Sequence, residues 1–372
     1  MTGTYFDRSQ LKIKPLSERH NKVMIEKDHV PITHPVRNTS PDFIQRVNEV
    51  VMRIKAAKEK GAAIMLTIGA HTIKNGMAPT LIKLMEEGWI THLATNGAGI
   101  IHDWEFAFQG LSSEDVRTNV DKGEFGIWEE TGRFLNLALV IGAFEGKGYG
   151  ESVGSMIENE GVQIPTEQEI DEIITNYSNS DLDRVAAALD LLDTMRKFQL
   201  NAGWLPISFP FKKYCVQAAA YRLGVPFTGH PMIGHDIIYT HPLNHGAAIG
   251  RTSLRDFLKF AHGINNLEGG VYMSVGSAVM SPMIFEKSLS MAQNVHLQNN
   301  AHIDNHYMVI VDLAANTWDW SQGEPPDTNP AYYLRYLKTF SRMGGVMKYL
   351  SADNRDFLLA IYQKLNKNVS RD

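Results

Sequence analysis

Residues 62–103, AAIMLTIGAHTIKNGMAPTLIKLMEEGWITHLATNGAGIIHD, confine the chain to few folds. Ala62 to Ile68 is an apolar run short enough to be a strand buried on both faces. Gly69 permits a tight turn, and His71 to Asn75 reads as a polar bend. Gly76 and Pro79 then introduce a helix whose Leu81, Ile82, Leu84 and Met85 fall at helical spacing, and Gly88 ends it. Trp89 to Thr95 reads as a second strand running into Asn96-Gly97-Ala98-Gly99. A strand, helix, strand unit of this kind joins parallel strands by a right-handed crossover. Ligands of such sheets bind at the carboxyl ends of the strands, so the loops 69–76 and 95–103 form the first candidate binding edge.

The alternation continues. Ser40-Pro41-Asp42 is a helix start, followed by the stripe Phe43, Ile44, Val47, Val50, Val51 and Ile54. Trp104 to Phe108 begins a further helix, and Trp128 to Ala143 reads as a long one. The glycines of 142–154 have no strand before them, which favours a flexible loop over a phosphate cradle. Helices are expected near 181–200, 214–223, 254–264 and 282–294, with strands at Val225-Pro226-Phe227, Val271–Val275 and Tyr307–Leu313. Two helices, near 331–343 and 353–366, finish the chain. The pattern predicts an α/β fold: a Rossmann-like, doubly wound, mostly parallel sheet in one large domain, 40–372, with an N-terminal arm over 1–39.

Composition excludes several classes. A net charge of −5 with no Lys/Arg block argues against nucleic acid. No apolar run reaches membrane-spanning length, so no membrane partner is expected. One cysteine, Cys215, rules out a disulfide framework, and a polar N-terminus lacks a signal-peptide core, so a cytoplasmic protein is expected.

Four constellations could carry chemistry. Amides at Gly97, Ala98 and Gly99 could approach a pyrophosphate, or the small residues could serve helix packing; Gly276-Ser277-Ala278 repeats the form. His230, His235, Asp236, His241 and His245 invite a metal or acid/base reading, although no standard ligand spacing is met and ordinary loop histidines fit as well. His296, His302 and His306 form a second, weaker cluster. Asp312 with Trp318-Asp319-Trp320 suits a cationic organic ligand, or the tryptophans cap a core edge. Lys338, among Tyr332, Tyr333 and Tyr336, is either a desolvated nucleophile or a solvated lysine on an aromatic helix.

The segments GAHTIKNGM (69–77), LIKLM (81–85) and ITHLATNGAGIIHD (90–103) together resemble the deoxyhypusine synthases. Fainter likeness extends through GHDIIYTH (234–241), VGSAVM (275–280), VIVDLAAN (309–316) and SADN (351–354). The resemblance implies an NAD-binding homotetramer that moves an aminobutyl group from a polyamine by way of a lysine imine. Its NAD contacts would be His71, Lys74, Asn96, Gly97, Ala98, Gly276, Ser277, Ala278, Leu313, Ala314, Asp353 and Asn354. Asp236 would be the acid of the amine pocket and Lys338, the nearest match to the family's imine-forming lysine, the covalent residue.

The chain departs from that pattern. Ile101 and His102 stand where the family has two glutamates, Pro282 where it has a histidine, and Pro231 where it has an aspartate. His102 therefore joins Asp236 and Lys338 as a catalytic candidate, and no metal ligand is assigned. Three functions follow: an NAD-dependent transferase on a polyamine or related amine; a different enzyme using the His230–His245 loop; or an NAD-binding protein without turnover.

Overall fold

A computed structural model describes residues 5–366. Its centre is a six-stranded, wholly parallel sheet of β1 (Ile64–Ile68), β2 (His92–Asn96), β3 (Phe227–His230), β4 (Val271–Val275), β5 (Tyr307–Asp312) and β6 (Val346–Ser351). The spatial order is 3-2-1-4-5-6, the arrangement of doubly wound dinucleotide-binding sheets, with its switch point between β1 and β4. Ile68 lies level with Thr95 and Val275, and Asn96 with His230, so the strands end along one edge.

The sheet divides the core in two because successive strand residues face opposite ways. Ile64, Leu66, Ile68, Val271, Met273, Val275, Val309 and Val311 enter one core, against α1 (Pro41–Lys60), α2 (Ala78–Glu86) and α6 (Asn354–Leu365). Met65, Ala94, Tyr272, Met308 and Ile310 enter the other, against Phe260 and Ile264 of α4 (Gly246–Asn265) and Phe285 and Leu289 of α5 (Met280–Gln298). The remaining labelled helix, α3 (Gly97–Gln109), follows β2 directly.

Local signals act as expected at α1, where Ser40 accepts a hydrogen bond from the Phe43 amide and Gly61 closes the helix in the left-handed region. Elsewhere the structure corrects the sequence reading. His71–Asn75 is not a bend; Ala70–Lys74 is a short helix. The helix expected from Trp104 begins seven residues earlier, at Gly97. Gly148 and Gly150 do not form a flexible loop; they start the buried helix Tyr149–Asn159. β6 was not foreseen at all.

The arm packs on its own chain, since Asn21–Met24 pairs antiparallel with Leu111–Glu114 while Leu16 and Ile25 are buried. A long insertion between α3 and β3 adds a helical layer that includes Glu129–Glu145 and Leu182–Lys197. Among the described residues no helix is long and apolar enough to cross a membrane.

Candidate functional site

Of the residues matched to the deoxyhypusine synthases, together with His102, all except Lys338 lie at the carboxyl side of a central strand, whereas His302 and His306 lead into the amino end of β5. His71 and Lys74 follow β1, Asn96 ends β2, and Gly97, Ala98 and His102 open α3. Asp236 follows β3, and Gly276, Ser277 and Ala278 follow β4. Leu313 and Ala314 follow β5, and Asp353 and Asn354 follow β6.

At the switch point the turns after β1 and β4 are in contact, the Gly69 amide donating to the Val275 carbonyl at 3.1 Å. Gly276 adopts φ +62° with open space on its Cβ side. Asn354 ties the far strand to this centre, donating to the Thr72 hydroxyl at 3.2 Å and accepting from Asn75 at 3.1 Å. Asp353 caps α6 through the Arg355 amide at 2.8 Å. Leu313 is exposed, and its amide donates to the Asp312 carboxylate at 2.7 Å. The Gly69 and Gly276 amides are engaged by the Val275 and Val311 carbonyls, and the open Cβ side of the left-handed Gly276 leaves space at the edge between β1 and β4, where doubly wound sheets take their ligands.

The end of β2 is closed more tightly. Asn96 caps α3 by accepting from the Gly99 amide at 2.9 Å. A Cβ on Gly97 would lie 2.1 Å from Asp236 Oδ2, and one on Gly99 would lie 2.2 Å from Thr95 Oγ1. These two glycines therefore serve close packing, and the room at Gly97 is already filled by a carboxylate.

That carboxylate belongs to the second half of the site, a cavity of about 200 Å³ beside the strand ends. Lys74, Ala98, His102 and Asp236 line it together, with Arg19, Glu105 and Glu114 as further charged walls. Ile101, Val116, Phe125 and Ile237 supply its apolar side. Asp236 Oδ2 is buried without a hydrogen-bond partner, and burial pushes this acid up to about 6, against a small opposing pull from His235. Tyr239, whose hydroxyl is also unpartnered, is pushed up to about 12 by burial and by Asp236. Burial also lowers the Lys74 ammonium, with Lys22 acting in the same direction. His71 is lowered by burial and by the neighbouring Lys74 and His102.

Arg19 anchors the wall. Its guanidinium meets Glu105 at 2.6 Å and Glu114 at 3.9 Å, with all three side chains nearly sealed from solvent. Burial, the largest single influence, would raise Glu105, but Arg19 and His102 together outweigh it and leave the acid at about 2. Sequence reading missed Arg19, Ser112, Glu105 and Glu114. Glu105 had one visible signal, an acid inside the otherwise apolar run Trp104 to Phe108.

Lys338 lines a different depression with Tyr332, Tyr333, Arg335 and Arg342. Its Nζ sits 3.6 Å above the Tyr332 ring and 3.4 Å from Glu324. The loop histidines disperse. His230 is buried against Thr228 and Phe260, His241 faces Glu129 at 3.3 Å, His245 caps α4, and only His235 reaches the cavity. Among the described residues no three His, Cys, Asp or Glu side chains are grouped to hold a metal. Trp320 is buried and packs into the second core, the edge-capping alternative for that loop.

No protein-family model matches the chain. No curated protein matches it either. Solved structures align over most of its length at low similarity. ArgZ, an arginine dihydrolase from the ornithine-ammonia cycle in cyanobacteria, is 14% identical, with TM-score 0.41 over 87% of this chain and 33% of its own. AgrE, in a ternary complex with ornithine and NAD+, is 15% identical, with TM-score 0.43 over 91% and 35%. A putative deoxyhypusine synthase from Entamoeba histolytica is 12% identical, with TM-score 0.40 over 90% and 92%. The chain thus spans about a third of the length of ArgZ and AgrE. The class defined by strand order and site is a doubly wound α/β protein with a cavity at its strand ends lined by both charged and apolar side chains.

Proposed function

We propose that the chain is an NAD-dependent enzyme acting on an organic amine, with the dinucleotide across the ends of β1 and β4 and the amine in the adjoining cavity. The observation that carries the amine is Asp236, a half-buried acid whose Oδ2 is sealed from solvent with no hydrogen-bond or cationic partner, in a cavity at the ligand-binding edge of a 3-2-1-4-5-6 sheet. A carboxylate without a partner is costly to bury, and an ammonium ion removes that cost. Ile101, Phe125 and Ile237 would cover methylene groups and keep water away. Gly276, Ser277, Ala278, Leu313, Ala314, Asp353, Asn354 and His71 would hold the dinucleotide, with Asn96, Gly97, Ala98 and Lys74 at its border with the amine. Bound NAD supplies hydride acceptance from the carbon beside nitrogen.

The finer reading is a deoxyhypusine synthase-like transfer in a homotetramer, with the covalent imine on Lys338. Lys338 and Asp236 line different hollows within one chain, so this version needs the lysine of a second copy to reach the cavity. Borohydride trapping with spermidine and NAD tests it: a mass adduct on Lys338 supports the transfer, and an adduct unchanged in Lys338→Ala removes it.

The primary test is thermal or calorimetric titration with NAD, then with spermidine and simpler diamines. NAD at 100 times its Kd should stabilise the fold by about 2.7 kcal/mol. No response to NAD ends the proposal. NAD binding without consumption of any amine reduces the chain to a dinucleotide-binding protein.

A further inference from the structure

We infer that Ser112 and Glu105 hold His102 in a single tautomer, with a proton on Nδ1 and a bare Nε2 toward the cavity, so that His102 is the base that deprotonates the amine. This rests on the amine reading above and adds a base and its two positioning residues.

The argument is one of donors and acceptors. Ser112 Oγ lies 2.5 Å from Glu105 Oε2 and 2.7 Å from His102 Nδ1, and the serine is fully buried. Glu105 is ionised, because Arg19 meets its other oxygen at 2.6 Å, and an ionised carboxylate can only accept. The single Ser112 hydrogen therefore goes to Glu105. What the hydroxyl offers His102 is a lone pair, so Nδ1 must carry the hydrogen that fills it. The second ring nitrogen of a neutral imidazole is then an acceptor. Among the described residues Nε2 has no hydrogen-bond partner, and the ring lines the cavity that Asp236 shares.

The remaining charges around the ring are accounted for. Glu105 lies on its own helix at 3.7 Å, His71 and Lys74 on the short helix after β1, Arg19 on the arm, Glu114 on the ribbon, and His235 and Asp236 after β3. Arg19 is already engaged by Glu105 and Glu114. The step follows. A substrate ammonium held by Asp236 loses one proton to Nε2: the N–H bond breaks, the Nε2–H bond forms, and nitrogen keeps the electron pair. The neutral amine is the form that can release hydride. The relay has the logic of a nucleophile-free triad, in which an acid orients a histidine and supports its imidazolium.

Nitrogen-15 NMR of the histidine side chains tests this without substrate. His102 is assigned among the 14 histidines by the signals lost in His102→Gln. The wild type should show the Nδ1–H tautomer. Ser112→Ala should lose it, Ser112→Thr should keep it, and Glu105→Gln, whose amide can donate to Ser112, should reverse it to Nε2–H. An Nε2–H tautomer in the wild type, or a Ser112→Ala spectrum identical to wild type, overturns the inference. The wild-type spectrum stands even where a variant fails to fold. Spermidine added with NAD should shift the Nε2 resonance, and an unmoved Nε2 with spermidine bound overturns the base role. Failure of spermidine and NAD to bind at all, with the tautomer as expected, sinks the amine reading and leaves the relay standing.

Discussion

The α-carbon of Gly69 rests against the carbonyl of Gly276: a Cβ at Gly69 would lie 1.9 Å from that oxygen. The two residues open the loops after β1 and β4, so their contact fixes how close the two strand ends come at the switch point. The obstacle is backbone, which cannot swing aside as a side chain can. Gly69→Ala should therefore cost at least the 1–3 kcal/mol typical of overpacking, read as a lowered urea midpoint, and NAD should bind more weakly. A wild-type midpoint in Gly69→Ala would show that the two turns separate freely. Gly276→Ala meets no atom but keeps φ +62°, so its cost should be about 1–2 kcal/mol from backbone strain alone.

If the cavity takes an amine as proposed, Asp236 makes its binding depend on pH in one direction. Burial holds its acid at about 6, so below that value it is mostly protonated and cannot pair with an ammonium ion. Spermidine affinity should be level above about pH 7 and fall below pH 6, approaching tenfold per unit, as a single competing proton requires. Binding at pH 6 should also release a proton, seen as a heat that varies with buffer ionisation enthalpy. Asp236→Asn should bind weakly at every pH. Affinity that rises on acidification would exclude Asp236 as the anchor.

Arg19 joins the arm to the cavity wall. Removing it in Arg19→Met strands Glu105 in a sealed site, and breaking such a buried pair costs about 3–5 kcal/mol. The double variant Arg19→Met with Glu105→Gln should recover part of that loss, because no uncompensated charge remains. Denaturant unfolding of the two proteins checks this, and additive losses would mean that the pair is not coupled.

The fold was legible where strands are buried on both faces. Ile64–Ile68, Val271–Val275 and Tyr307–Asp312 are apolar runs that only a covered sheet can hide, and the order of strands and helices followed from them. β6 was not, because Val346–Ser351 is an edge strand with Lys348 in it and one fully buried residue, Leu350. The glycines 146–150 misled for a different reason. Gly150 donates to Asp256, 106 residues away, and no local pattern carries that partner. Asp236 and the cavity role of His102 could be suspected from one segment each. The relay could not: nothing in the sequence marks Ser112, a strand residue whose hydroxyl faces back to α3. The four loop histidines were close in sequence but end in different surroundings, His230 and His241 buried, since sequence proximity in an irregular loop says little about direction.

Asp256 makes stability itself pH-dependent. It is fully buried, and its Oδ2 accepts from the Gly150 amide at 2.8 Å and the Gly229 amide at 2.6 Å, joining the helix Tyr149–Asn159 to β3. Burial raises this acid to about 7, and the two amides only partly oppose the rise. The folded chain therefore keeps a proton that the unfolded chain, with an ordinary carboxyl near 3.8, gives up. Stability from this group is complete below the unfolded value, falls as pH rises from about 4 to about 7, and is then level, with a slope of at most about 1.4 kcal/mol per unit. Asp256→Asn cannot ionise, and its carbonyl oxygen can still accept both amides. Its urea midpoint should match wild type near pH 4 and exceed it at pH 8. A variant that loses more than wild type at pH 8 would mean that the carboxylate, once formed, holds the two amides better than burial penalises it.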